Sequence, residues 1–240
     1  MPDIDRIMIV DLHNFFKFYD DKNPKHVAAV EKLEKDLNVK NPELLDDTSD
    51  WIRLFRTKIE PVAPASGILN VPFFPQTDNY RDPNRTCNSS ACAMCLEYFK
   101  PGTLKGATGD DQYVRKVFSI GDTTDHSVQT KALASYGVKS SFQYNLGFDD
   151  LDRELAAGRP VVIGIYHRGT LDNPRGGHML VVIGKKGDDY VVNDPYGSLN
   201  DGYSGPVANG KGAVYKKYEL SYRWLERAKN KTGWGRIFEA

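Results

Sequence analysis

The chain has 240 residues, of which 40% are hydrophobic and 27% are charged, as in an ordinary globular protein. Its 32 basic residues balance its 32 acidic residues, so it has no basic field that would attract nucleic acid or acidic lipid. No apolar run approaches the roughly 20 residues of a membrane span, so we expect no membrane insertion.

The start of the chain, MPDIDRIMIVDLHNFF, lacks the basic and then apolar pattern of a secretory signal peptide. Three cysteines clustered in one short segment do not make a disulfide framework. We therefore expect a protein that is synthesised and kept reduced in the cytoplasm, and that would need another export route to act outside it.

Residues 1–60 are predicted to form a small helical region. In NPKHVAAVEKLEKDLN a proline stands near the predicted N-terminus of a helix, and apolar residues fall on one face. The segment TSDWIRLFRTK indicates a second short helix. Prolines and a glycine at 61–69 interrupt this pattern and indicate a linker, so we expect the main domain to occupy 70–240.

In the main domain, helices are predicted first and antiparallel strands afterwards. The predicted helices are NSSACAMCLEYF, DDQYVRKVFSI, VQTKALASYG and FDDLDRELAAG. Single strands are predicted at the start of VPFFPQTDNY, at VKSSFQYN and PVVIGIYH, and in GAVYKKYELSYRWL and GWGRIFEA. The segment HMLVVIGKKGDDYVVNDP predicts two strands around a polar turn. This order favours an α+β fold over a doubly wound parallel sheet.

The three cysteines differ in their positions on the first of these helices. Cys92 and Cys95 begin an apolar stripe at i and i+3 that continues at i+4 and i+7, so we interpret them as packing residues. Cys87 lies about 140° away from Cys92 around the helix and stands at the helix start. Unpaired N–H groups and the positive end of the helix dipole favour a thiolate there. We therefore predict that Cys87 is a nucleophile.

A nucleophilic thiolate needs a base and a group that orients the base. His178 follows two glycines in GGHMLVVIG, and the apolar strand after it would hold the imidazole in place. Asp194, in YVVNDPYG, ends the next strand of the same hairpin, and its carboxylate would fix the tautomer of His178. Asn193 is the alternative, since side chains alternate along a strand and only one of the two faces His178. We favour Asp194 as the orienting residue and place Asn193 in the substrate site.

Three further residues are candidates for the site. Gln76, in FFPQTDN, lies upstream of the nucleophile, and its side-chain N–H together with the backbone N–H of Cys87 would bind an oxyanion; a surface loop position is the alternative. Gly177 precedes His178 and keeps the approach to the imidazole open. His167 follows the strand PVVIGIY and either borders the substrate cleft or is a structural histidine.

We expect no cofactor and no metal. A zinc-stabilised binding module built on the cysteines and His178 is an alternative, but the sequence lacks the second ligand pair that structural zinc sites normally have. The acidic runs LDDTSD and GDDQ are interpreted as solvated loops and helix caps, with calcium binding as the alternative.

The segments VPFFPQTDN, TCNSSACAMCLEYF, GGHMLVVIG and VVNDPYG, in this order, resemble papain-like cysteine peptidases of the bacteriocin-processing (double-glycine) type. The resemblance covers roughly residues 70–237 and is greatest to the stand-alone domains found in phage lysins and bacterial proteins. It implies a papain-like fold, with Cys87 as nucleophile, His178 as general base and acid, Asp194 as orienting residue and Gln76 as oxyanion glutamine. One departure is the segment YRDPN, which lengthens the interval between Gln76 and Cys87.

The function that this resemblance favours is cleavage of peptide bonds in bacterial peptidoglycan, as in a phage endolysin. Such an enzyme leaves the cytoplasm through a holin pore and acts on the host cell wall. One alternative is a protein-processing peptidase that acts on a glycine-containing site. Another is a wall-binding or virion structural module on the same fold, without enzymatic activity. The oligomeric state is open.

Overall fold

The computed structural model describes residues 67–106, 108–226 and 229–239. The predicted helical region at 1–60 and most of the predicted linker lie outside the described residues. The helices, in chain order, are α1 (Cys87–Phe99), α2 (Asp110–Ile120), α3 (His126–Ser135), α4 (Phe148–Ala156) and α5 (Lys217–Arg223). The strands are β1 (Lys139–Leu146), β2 (Val161–Gly169), β3 (Pro174–Lys186), β4 (Asp189–Asn193), β5 (Lys211–Tyr215) and β6 (Gly233–Glu239).

The six strands form one antiparallel sheet in the order β1-β6-β2-β3-β4-β5. Strands β3 and β4 are the predicted hairpin, and β3 also pairs with β2 along nearly its whole length. Three helices precede the first strand in the chain. The predicted α+β class is therefore confirmed.

Alternation of side chains along the central strands gives the sheet two apolar faces. One face, with Val162 and Val181, packs against α1, which is buried almost all round and includes the fully buried Cys92 and Cys95. The other face, with Ile163 and Leu180, belongs to a second apolar cluster that also contains Trp224. Because both faces are covered, the central strands read as continuous apolar runs in the sequence.

Two predicted elements differ from the structure. The segment VPFFPQ was expected to begin a strand, but residues 67–75 are extended without joining the sheet as a strand. Pro72 and Pro75 lack the N–H that a sheet ladder requires. The second half of GAVYKKYELSYRWL forms α5 instead of a strand. Its tyrosines favoured a strand, but the buried Leu220 and Trp224 stand four residues apart, which is the helical spacing.

Among the described residues, the structure contains no helix with the length and apolar character needed to span a membrane.

Candidate active site

Cys87 is the first residue of α1, and its side chain is partly exposed. The N-cap residue, Thr86, accepts the first helical hydrogen bond on its carbonyl, from the N–H of Ser90 at 2.9 Å. The buried side chain of Asn79 donates to the hydroxyls of both Thr86 (2.8 Å) and Ser90 (2.9 Å). These contacts fix the first turn of α1, so the thiol is held where the unpaired N–H groups of the helix meet the surface.

His178 is the first buried residue of β3 after the exposed Gly176 and Gly177. Its Nε2–H donates to Oδ1 of Asp194 at 2.6 Å, since an ionised carboxylate only accepts hydrogen bonds. The other ring nitrogen, Nδ1, has no bond to Asp194, and the imidazole lies close enough to the Cys87 thiol to lower its pKa. The structure thus brings the thiol, the imidazole and the carboxylate together at one site.

The Asp194 carboxylate is fully buried and accepts four hydrogen bonds. Besides His178, its partners are the N–H of Tyr196 (3.0 Å), the hydroxyl of Tyr203 (3.1 Å) and the hydroxyl of Tyr215 (2.6 Å). Both oxygens of this buried carboxylate therefore have hydrogen-bond partners, which offsets the cost of burying it.

Sequence reasoning did not find Tyr203 and Tyr215. Tyr203 lies in the loop after β4 with a left-handed φ of +60°. This conformation is uncommon for tyrosine, so the sequence does not predict it. Tyr215 lies on β5, opposite Tyr190 of β4. Its place beside Asp194 follows from the strand register, which becomes visible only when β5 is paired with β4.

The pKa values of the pair favour a charged thiolate and imidazolium. Burial alone would raise the pKa of the Cys87 thiol, but the hydrogen bond and positive charge of His178 and the nearby N–H groups of Met179 and Asn88 lower it overall. Burial would lower the pKa of His178, but the charge and hydrogen bond of Asp194 raise it to about 10. Both shifts favour the charged forms of the pair, the thiolate and the imidazolium.

The tyrosines stay protonated beside this pair. Burial, followed by the negative charge of Asp194, raises the pKa of the Tyr203 hydroxyl and of the Tyr215 hydroxyl well above the ordinary value. Both therefore act as hydrogen-bond donors to the carboxylate throughout the neutral range.

Asn193 lies on the opposite side of β4 from Asp194, as strand alternation requires. Its amide donates to the carbonyl of Val71 at 3.0 Å, and its carbonyl accepts from the N–H of Gly212 at 3.0 Å. The side chain is 1% exposed. These contacts join the segment before the site to β4 and β5. The contact of Asn193 with a substrate stays a prediction.

Gln76 is buried between the loop after β4 and the loop before α1. Its backbone N–H donates to the carbonyl of Pro195 at 2.8 Å, and its side-chain Nε2 donates to the carbonyl of Pro83 at 2.7 Å. Pro83 belongs to YRDPN, the segment that lengthens the interval to Cys87. The longer loop is therefore bound to the glutamine. The oxyanion role of Gln76 stays a prediction.

His167 and Gly177 both lie next to His178. The His167 ring is centred 5.2 Å from the His178 ring and 5.6 Å from the Tyr203 ring, and its Nδ1 is hydrogen-bonded to the carbonyl of Gly176. Burial and the charge of His178 lower the pKa of His167. Gly177 is exposed and pairs with Tyr166 across β2 and β3. Their contact with a substrate stays a prediction.

Within the residues that the structure describes, no group of three or more histidine, cysteine, aspartate or glutamate side chains is placed to hold a metal ion.

Comparisons with known proteins identify the family of the chain. The model of the peptidase C39-like family matches residues 68–230. A solved structure described as a C39-like peptidase from Bacillus anthracis is 14% identical, with a TM-score of 0.51, over 74% of this chain and 98% of that chain. A double glycine motif protease from an AMS/PCAT transporter, solved in complex with the leader peptide, is 20% identical, with a TM-score of 0.46, over 72% of this chain and 93% of that chain.

No curated protein matches the chain. The first of the two structures shows that the fold is that of the papain-like C39 peptidases, which confirms the predicted fold. The family match covers about two thirds of the chain, including the nucleophile helix and the β3–β4 hairpin. The chain belongs to the peptidase C39-like family, and it is a cysteine peptidase.

Proposed function

We propose that Cys87, His178 and Asp194 are the catalytic residues, and that the substrate is the peptide part of bacterial peptidoglycan. The observation that carries the first part is the position of the His178 imidazole, which lowers the pKa of the Cys87 thiol and is hydrogen-bonded to a buried carboxylate with four donors. The assignment of the substrate is supported by the resemblance of the site motifs to those of stand-alone lysin domains.

In the first half of the reaction, the Cys87 thiolate attacks the carbonyl carbon of the scissile peptide bond. The carbonyl oxygen becomes an oxyanion, for which the N–H of Cys87 and the amide of Gln76 are the proposed donors. His178 then gives its Nδ1 proton to the leaving amine, the C–N bond breaks, and a thioester remains on Cys87.

In the second half, neutral His178 takes a proton from a water molecule, which attacks the thioester carbonyl. The C–S bond breaks, the new carboxyl group leaves, and the thiolate and imidazolium are restored. Throughout this cycle Asp194 keeps its hydrogen bond to Nε2, so the nitrogen that faces Cys87 is always Nδ1.

Purified cell walls of several peptide cross-link types test the substrate. We expect the protein to lower the turbidity of at least one wall suspension and to release new amino groups without new reducing sugar ends. Cys87→Ala should abolish both signals. Cleavage of protein substrates with no effect on any wall would favour the protein-processing alternative. The absence of cleavage of both, by protein whose Cys87 is reactive, would contradict the proposal.

A further inference from the structure

Four aromatic rings from separate elements lie side by side at one end of the sheet. The ring of His126, at the start of α3, stacks on Phe142 of β1 with centroids 3.5 Å apart. Trp234 of β6 lies 6.5 Å from His126 and 6.2 Å from Tyr166 of β2. None of the four is fully buried, and Tyr166 is 40% exposed. These four residues are the aromatic platform.

Two glycines allow the indole of Trp234 to lie against the sheet. A Cβ atom on Gly164 would lie 2.1 Å from the indole, so only glycine leaves room for the ring at that position of β2. A Cβ atom on Gly177 would lie 3.5 Å from the far edge of the ring, which is ordinary contact. The indole therefore extends across β2 to the backbone of β3, next to His178.

The platform lies on the side of the sheet that packs against α1, near Cys87. The amide of Asn88, the residue after Cys87, lies 3.3 Å from Nδ1 of His126. The backbone of Gly177, under the edge of the indole, directly precedes His178, whose side chain shares the other face of the sheet with Ile165. The scissile bond must lie at Cys87, and successive residues of an extended peptide are about 3.3 Å apart, so the platform is placed for a residue near that bond.

The platform suits an uncharged apolar group. Its rings offer apolar faces, and burial, together with the charge of Arg236, lowers the pKa of His126 to about 4, so that ring is neutral at pH 7. The buried guanidinium of Arg236 lies 5.7 Å from the Phe142 ring and donates to Thr130, Ser140 and the carbonyl of His126. A cation placed on the platform would be repelled by that charge.

We propose that the aromatic platform is a substrate-binding subsite that takes the uncharged, apolar side chain of a residue beside the scissile bond. This proposal rests on the proposed reaction of Cys87 and His178. It does not depend on whether the substrate peptide comes from a cell wall or from a protein. It assigns a specificity role to Trp234 and Tyr166.

Protection of Cys87 from iodoacetamide by short peptides tests this proposal on either side of the bond. The probes are capped alanine hexapeptides in which each position in turn carries leucine, phenylalanine, glutamate or lysine. For each peptide, the concentration that halves the initial alkylation rate of Cys87 is measured by peptide mass spectrometry. We expect one position at which leucine or phenylalanine improves protection about tenfold over alanine, with no gain from glutamate or lysine.

Three variants locate the effect. Trp234→Ala should remove the gain from leucine and phenylalanine. Tyr166→Ala should reduce the gain from leucine and phenylalanine. Because Tyr166 is more exposed than Trp234, this variant still tests the proposal if Trp234→Ala fails to fold. Tyr218→Ala removes a tyrosine that is 64% exposed on α5 and packs on Tyr222, and it should keep the wild-type preference.

Equal protection by all peptides, or by none, would overturn the proposal, and so would a preference that persists in both platform variants. These outcomes are distinct from a failure of the proposed function. Alkylation of Cys87 without any peptide reports the thiolate itself, and wall turbidity reports the substrate.

Discussion

Replacing Asp194 with asparagine removes the charge that keeps the His178 imidazole protonated. The pKa of His178 is about 10 because Asp194 outweighs the effect of burial, which acts in the opposite direction. In Asp194→Asn burial is opposed only by the smaller effects of the hydrogen bond and charge of Cys87, so we expect the pKa of His178 to fall from about 10 to its ordinary value of 6.5 or below. The imidazole is then mainly neutral at pH 7.

The loss of the imidazolium determines the size of the effect on Cys87. The pKa of Cys87 is lowered by His178 against the effect of burial, so without that charge it returns to its ordinary value of 9.0 or higher. A thiol with a pKa of 9 is only about 1% ionised at pH 7, so the free energy needed to form the thiolate at that pH is about 2.7 kcal/mol. We therefore expect the alkylation rate at pH 7 to fall by up to about 100-fold, and the rate of peptide cleavage to fall further.

The assay is the rate of Cys87 alkylation by iodoacetamide between pH 4 and pH 10. In the wild-type protein, the rate should rise through a pKa below 9 and then level off. In Asp194→Asn, the rise should move to pH 9 or above. Asp188→Asn is the matched control, since it removes an exposed carboxylate in the turn between β3 and β4 and should keep the wild-type profile. An Asp194→Asn profile that superimposes on the wild-type profile would refute the argument.

Three further changes have definite expected results. Tyr215→Phe removes the 2.6 Å donor to Asp194, and should lower the free energy of unfolding in urea by about 1–2 kcal/mol and slow peptide cleavage. Gly210→Ala would place a Cβ atom 2.1 Å from the Asp194 carbonyl oxygen; we expect a loss of about 2 kcal/mol or more and of activity, and a wild-type melting temperature would contradict it. Asp110 is buried, which raises its pKa from 3.8 to about 7 although Ser90 donates to it. The stability of the wild-type protein should therefore decline relative to Asp110→Asn as the pH rises from 4 to 7, and the difference in melting temperature should be constant above pH 7.

The sequence was sufficient to predict that Cys87, His178 and Asp194 lie together. The position of Cys87 at a helix start, and the hairpin that joins His178 to Asp194, depend on local periodicity, which a single sequence records. The sequence could not decide whether Asn193 or Asp194 faces His178, because alternation shows only that one of the two does. In the structure, the side chain that is hydrogen-bonded to His178 is that of Asp194.

The rest of the site depends on pairings between distant parts of the chain. Tyr215 reaches Asp194 only through the register of β5 on β4. Trp234 lies over Gly164 only because β6 is placed beside β2, far from it in the sequence. Neither pairing is determined by a local pattern. Periodicity predicts that a strand forms, but it does not predict which distant strand it pairs with or in which register.

The position of β6 in the middle of the sheet has a consequence for biosynthesis. β6 lies between β1 and β2, and its residue Glu239 pairs with Lys139, about 100 residues earlier. Until β6 has left the ribosome, β1 has no partner on that side and β2 has an open edge, so the sheet must close late and over a long loop. Trp234 arrives with the same strand. We therefore expect a nascent chain to complete the sheet and the aromatic platform only after β6 has been translated.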